Sequence, residues 1–143
     1  MQRAYRLAAD GCAVVVSRMP GLEAPFVWLG ARAWRRPWVG RFYQSTADRV
    51  ARRLSLGGSP FRRIVVGGTP LVLDATEFTT RALYFGRVEY EPRTAACLRE
   101  RLKRDGVFVD VGANHGYFSM LAAALVGPGG RVAAFEPNPA VFA

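Results

Sequence analysis

The chain has 143 residues, 50% of them apolar and 12% aromatic, and a formal net charge of +9. That length suits a core-forming domain, and that composition excludes a disordered chain. Every apolar run is interrupted by Gly, Pro or a charge before it could span a bilayer, and no small-residue cleavage site follows the apolar start, so a cytoplasmic protein is expected.

Residues 1–60 read as a basic, partly helical region with no motif. Leu7–Val16 fits a helix by Ala8-Ala9 and a strand by Val14-Val15-Val16. Pro20–Pro37 is Pro- and Trp-rich, with Trp28, Trp34 and Trp38 set among arginines. Such rings stack nucleobases in some proteins, and more often pack a small subdomain under Arg stems. Arg41–Leu56 reads as a helix, because Phe42, Thr46, Val50 and Leu54 recur on one face; Gly57-Gly58 and Pro60 end it. The charge excess lies wholly in this part: residues 1–63 hold twelve Arg against Asp10, Glu23 and Asp48, while residues 64–143 are balanced. A basic arm of this kind suits an anionic membrane surface or a protein partner. Nucleic acid is the weaker fit, since 19 of the 20 basic residues are Arg, the signature of a GC-rich coding sequence. Cys12 and Cys97 have no partners at metal-ligand spacing and read as reduced thiols, so no metal is expected.

Residues 61–143 are more legible. Ile64-Val65-Val66 and Leu71-Val72-Leu73 flank Gly67-Gly68-Thr69-Pro70, a hairpin pattern. Thr76 or Thr79 would cap a short helix that Gly86 stops. Glu91-Pro92 opens another, with Ala95, Leu98 and Leu102 as its buried stripe, a Glu100–Arg104 pair on its surface and Gly106 at its end. Val107–Val111 is an apolar strand of the kind buried on both faces of a parallel sheet. Tyr117–Val126 has the length and composition of a helix, Gly127-Pro128-Gly129-Gly130 is a turn, and Arg131–Phe135 is a second apolar strand. Together they make one βαβ unit.

The loop inside that unit carries the chemistry. A ligand at the carboxyl edge of a parallel sheet needs a bend that lets the backbone approach, a helix starting just beyond it, and an acid at the next strand's tip to accept ribose hydroxyls. Gly112, Asn114 and Gly116 meet the first need, the helix from Tyr117 the second, and Glu136 the third. The pattern D-x-G-x-N-x-G over Asp110–Gly116 lacks the register of the dinucleotide fingerprint G-x-G-x-x-G, so a pyrophosphate-cradling loop is the poorer fit. Open alternatives are that Asp110 merely caps the loop, that the glycines serve only a tight turn, and that Glu136 is a solvated strand end.

Asp110-Val111-Gly112-Ala113-Asn114-His115-Gly116-Tyr117-Phe118-Ser119 and Phe135-Glu136-Pro137-Asn138-Pro139 resemble motif I and the following acidic strand of FkbM-type methyltransferases, which are class I S-adenosylmethionine-dependent enzymes. Tyr84-Phe85-Gly86, Tyr90-Glu91-Pro92 and the preceding hairpin resemble that family's lead-in. The resemblance covers roughly residues 64–143. It implies the first βαβ unit of an incomplete Rossmann-like, doubly wound sheet, and methyl transfer from S-adenosylmethionine to a hydroxyl of a sugar or polyketide-like small molecule. Carried over by position, Gly112, Asn114 and Gly116 would line the methionine and ribose, Asp110 would order the loop and hold the ammonium, and Glu136 would hold the ribose diol. Pro137 and Asn138 would border the adenine, and Glu91 would face the methionine end. His115 occupies a loop position that usually points away from the reacting methyl, and no catalytic base is assigned. Two parallel strands and a hairpin fall short of a complete doubly wound sheet, so the chain is expected to be an N-terminal fragment with weak or no catalysis alone. Two other readings stay open, a fragment of an NAD-binding oxidoreductase and a non-enzymatic basic interaction module built on residues 1–63.

Overall fold

A computed structural model describes residues 2–33, 36–57, 59–86 and 89–142. The described residues form a mixed α/β chain with seven helices and two small two-stranded sheets. They group into two compact units, Met1–Arg62 with Leu73–Val88, and Arg63–Val72 with Glu89–Ala143. The units are not continuous in sequence: residues 73–86 belong with the helical start and residues 63–72 with the βαβ unit.

The first unit holds α1 (Gln2–Arg18), α2 (Pro20–Ala33), α3 (Pro37–Gly57) and α4 (Phe78–Gly86). The ambiguity at Leu7–Val16 resolves as helix because Ala9, Ala13 and Val16 fall on one stripe, and all three are buried. In α3, Thr46, Val50 and Leu54 are buried as their spacing predicts, and Tyr43, Ala47 and Ala51 widen the stripe. The Trp-rich segment is helical over Pro20–Ala33. Its Trp28 and Trp38 are exposed, not packed inside, and Trp34 lies outside the described residues. Arginine guanidinium groups lie over the two rings: that of Arg32 sits 3.7 Å from the Trp28 ring centre and that of Arg41 5.6 Å from Trp38. Phe85 closes the core, with its ring edge-on to Phe26 and Tyr84 and its carbonyl accepting from the Tyr43 hydroxyl. Gly30 permits this packing, since a Cβ there would collide with the Tyr43 ring.

All three acids of residues 1–63 are consumed in ion pairs. Asp10 pairs with Arg49 at 2.6 Å, Asp48 with Arg81 at 2.9 Å, and Glu23 with Arg62 at 2.5 Å. The last is bidentate and largely buried: Arg62 Nε and Nη2 donate to the two carboxylate oxygens of Glu23. Burial, reinforced by Glu23, pushes the nearby Tyr84 phenol up to about 12 from its ordinary 10.0. A raised phenol means that the folded chain keeps a proton that the unfolded chain gives up. The stabilisation is complete below the ordinary value of 10.0 and lost as pH climbs through about 12. Urea unfolding followed by circular dichroism should show stability falling across that window, and Tyr84→Phe should flatten the fall. An unchanged slope in the variant would contradict this assignment.

The second unit holds α5 (Pro92–Arg101), β3 (Val107–Val111), α6 (Tyr117–Val126), β4 (Arg131–Phe135) and α7 (Pro139–Phe142). The hairpin of β1 (Phe61–Val66) and β2 (Thr69–Asp74) runs through both units, and its turn belongs to the second. Gly67 and Gly68 both take positive φ there, as the turn requires. Neither Thr76 nor Thr79 caps α4 as expected: the helix starts at Phe78, so Thr76 lies two residues before it and Thr79 already inside its first turn. Asp74 organises the turn before α4 instead, accepting from the Thr76 amide at 2.8 Å and hydroxyl at 2.7 Å. Pro92 does open α5, but the helix ends at Arg101 with Leu102 extended, not at Gly106. Arg104 is therefore off the helix, and the expected pairing with Glu100 loses its i,i+4 geometry. Cys12 and Cys97 are both free thiols.

β3 and β4 pair in parallel, Val107 opposite Arg131 through Val111 opposite Phe135, with α6 as the connection. Val66, Ala95 and Leu121 form the buried centre of this unit. One expectation fails. β3 is not buried on both faces: Val107, Val109 and Val111 are exposed, Val111 to 82%, as is Phe135 on β4. α6 covers one side only, and alternation then places every second residue of β3 on the open side. Among the described residues, no helix is long and apolar enough to cross a membrane.

Candidate functional site

The bend between β3 and α6 is built from backbone that most residues avoid. Gly112 and Gly116 both have φ +80°, and Asn114 has φ +50°. Glycine takes the left-handed region without penalty, and Asn tolerates it better than other side chains. A Cβ at Gly112 or Gly116 would meet nothing within 4 Å, so these glycines are required by backbone angle and border open space. The bend is clasped to the tip of β4, where the Phe135 carbonyl accepts from both the Gly112 amide at 2.8 Å and the Ala113 amide at 3.0 Å. Gly116 closes the turn by donating to the Ala113 carbonyl at 2.8 Å and then starts α6 without a side-chain cap. The amides of Tyr117, Phe118 and Ser119 form the helix's first turn, whose N–H groups have no intrahelical acceptors.

Two carboxylates meet this bend. Glu136 reaches across from the end of β4: its Oε2 accepts from the Asn114 amide and its Oε1 from the Asn138 amide, each at 2.8 Å. It is therefore aimed at the bend. Asp110, at the penultimate position of β3, accepts from the Ser119 hydroxyl at 2.6 Å and so ties the strand to α6 across the loop. Asn138 holds the following turn, with its side-chain oxygen accepting from the Ala140 amide at 3.1 Å. Pro137 is exposed beside it. The structure thus gathers Gly112, Asn114, Glu136 and Asn138 around the tip of β4, with Gly116 closing the bend and Asp110 tied to α6 through Ser119.

Glu91 stands differently. Its backbone is left-handed, φ +42°, at the start of α5, and its exposed carboxylate accepts from the Thr94 hydroxyl at 3.0 Å. Its neighbour Tyr90 packs on the first two residues of α6, 5.6 Å from the Tyr117 ring and 5.5 Å from the Phe118 ring. Tyr117 and Phe118 thus serve packing. Burial holds the phenols of Tyr90 and Tyr117 above their ordinary value, so both are neutral hydroxyls at physiological pH. His115 sits in the bend, half-buried. No group of three or more His, Cys, Asp or Glu among the described residues is placed to hold a metal ion.

Two participants carry no weight in the sequence reading. Ser119 is one; its signal is a hydroxyl in an otherwise apolar first half of α6, nine residues after Asp110. The Phe135 carbonyl is the other, and a backbone group leaves no trace in residue type. No protein-family model, curated protein or solved structure matches the chain.

Proposed function

We propose that the chain carries the cofactor-binding half of an S-adenosylmethionine-dependent methyltransferase of FkbM type, on a Rossmann-like βαβ unit. The observation that carries this reading is the Glu136 carboxylate, set at the tip of β4 and hydrogen-bonded to Asn114 across the bend after β3. Each carboxylate oxygen there accepts one amide hydrogen, and each oxygen has a second acceptor site. Two such sites, side by side beside open backbone at Gly112 and Gly116, match the two hydroxyls of a ribose. Asp110 keeps acceptor capacity beyond its bond to Ser119, which suits an ammonium. Asn138 and Pro137 flank the carboxylate where an adenine would lie.

Bound S-adenosylmethionine supplies a methyl group already activated on sulfonium. The residues around it then have to hold and orient donor and acceptor, a contribution of about 7–11 kcal/mol at best. Asp110 and Glu136 are engaged as acceptors, so neither is assigned proton transfer. The acceptor, by the resemblance, is a hydroxyl of a sugar or polyketide-like small molecule.

The dinucleotide alternative is the poorer fit because Asp110–Gly116 lacks the G-x-G-x-x-G register. Within the bend, the Gly112, Ala113 and Asn114 amides are already satisfied by Phe135 and Glu136. Calorimetric titration of the chain with S-adenosylmethionine and, separately, with NAD tests this directly. Heat with the first and none with the second is expected, with amide shifts at Gly112, Asn114 and Gly116. Silence with S-adenosylmethionine, or binding of NAD in its place, overturns the reading.

A further inference from the structure

The helical unit has a face that water alone does not explain. In α2 every exposed position is nonpolar except Arg32, and the largest are Leu22, Trp28 and Leu29. The opposite side of α2 packs inward through Phe26, Val27 and Gly30 against Tyr43. A helix that is apolar on both sides is normally covered on both sides. Here the outer side is open, with Trp28 51% and Leu29 60% exposed, and Trp38 at the start of α3 is 77% exposed.

Exposed arginines flank this face along the chain: Arg18 ends α1 two residues before α2, Arg32 lies in the last turn of α2, Arg36 follows it, and Arg41 follows Trp38. The acids that could neutralise them within residues 1–63 are committed elsewhere, since Asp10, Glu23 and Asp48 are paired with Arg49, Arg62 and Arg81. An apolar strip with exposed tryptophans and an arginine margin fits the boundary between acyl chains and anionic headgroups. At fourteen residues α2 is about 21 Å long, too short to cross a hydrocarbon core of about 30 Å, so it would lie in the plane of the surface.

We propose that the outer face of α2, with Trp38 and the flanking arginines, seats the protein on an anionic lipid surface. Trp28 and Leu29 enter the acyl boundary, and Arg18, Arg32, Arg36 and Arg41 meet the headgroup phosphates. This inference is independent of the cofactor reading, because none of its residues belongs to the bend at Gly112–Gly116.

The test is cosedimentation of the full chain with vesicles of phosphatidylcholine alone and of an equimolar mixture with phosphatidylglycerol. Binding should be about tenfold or more tighter to the anionic vesicles and should weaken with salt. Tryptophan emission should shift to the blue and be quenched by brominated acyl chains. Leu22→Glu with Leu29→Glu should lose about tenfold or more in binding, with helicity unchanged by circular dichroism. Arg32→Gln with Arg36→Gln, which leaves the apolar face intact, should lose most of the preference for anionic vesicles. Equal binding to neutral vesicles, no quenching, or variants that bind like the parent chain would each overturn the proposal. So would a soluble dimer abolished by Leu29→Glu with no vesicle binding, or DNA binding that Leu29→Glu leaves intact.

Discussion

Glu136→Gln is expected to weaken S-adenosylmethionine binding about 10–100-fold, the equivalent of losing hydrogen bonds to a charged group. The carboxylate offers two equivalent oxygens, one toward Asn114 and one toward Asn138, each at 2.8 Å. An amide keeps one acceptor and turns a second donor toward the other backbone N–H. The variant therefore loses the negative charge and one of the two positions that would receive ribose hydroxyls. A loosened bend alone could also lower affinity, so the decisive comparison uses an analogue without ribose hydroxyls. The parent chain should bind that analogue much more weakly than S-adenosylmethionine, and the variant should barely distinguish the two. The coupling between side chain and hydroxyls isolates their contact from any general effect on the loop. A variant that still discriminates as strongly as the parent would remove Glu136 from the ribose and the proposed function with it.

The second large effect is on stability. Phe85→Ala should cost about 3–5 kcal/mol, a large share of the roughly 5–15 kcal/mol that holds a typical domain together. Phe85 is 1% exposed, and its ring meets Phe26 and Tyr84 inside the helical unit. Truncation leaves a cavity where α4 meets that core, and close-packed neighbours refill it only partly. Phe78 gives the internal control: it lies on the same helix but is exposed, so Phe78→Ala should change stability by less than about 0.5 kcal/mol. Urea midpoints of the two variants should therefore differ widely. Similar midpoints would mean that α4 does not complete the core of the helical unit.

The legible and illegible parts of the chain differ for physical reasons. β3, α6 and β4 lie where residue pattern places them, because glycines, a β-branched run and an alanine-rich helix all favour one local state. Gly112, Asn114 and Gly116 were readable for the same reason, since positive φ strongly restricts residue type. Leu7–Val16 was not, because Val and Ala propensities conflict there and only the burial of Ala9, Ala13 and Val16 against other helices decides the matter. The end of α5 is not legible in residue type, because Leu102 fits the apolar stripe while the chain already turns at that residue.

By itself, the sequence determined the order of the elements in the second half, the place of the bend and the identity of the two carboxylates beside it. These are local matters, set by backbone angles and by spacing along the chain. Tertiary structure alone decided that Glu136 reaches the Asn114 amide, that Ser119 engages Asp110, and that the Phe135 carbonyl clasps the bend. It also decided which apolar residues stay uncovered, leaving Val107, Val109 and Val111 exposed on one sheet and Trp28, Leu29 and Trp38 on the helical unit. Residue type records a preference for burial. Whether that preference is met depends on which other surface arrives there, and that is a property of packing across distant stretches of chain.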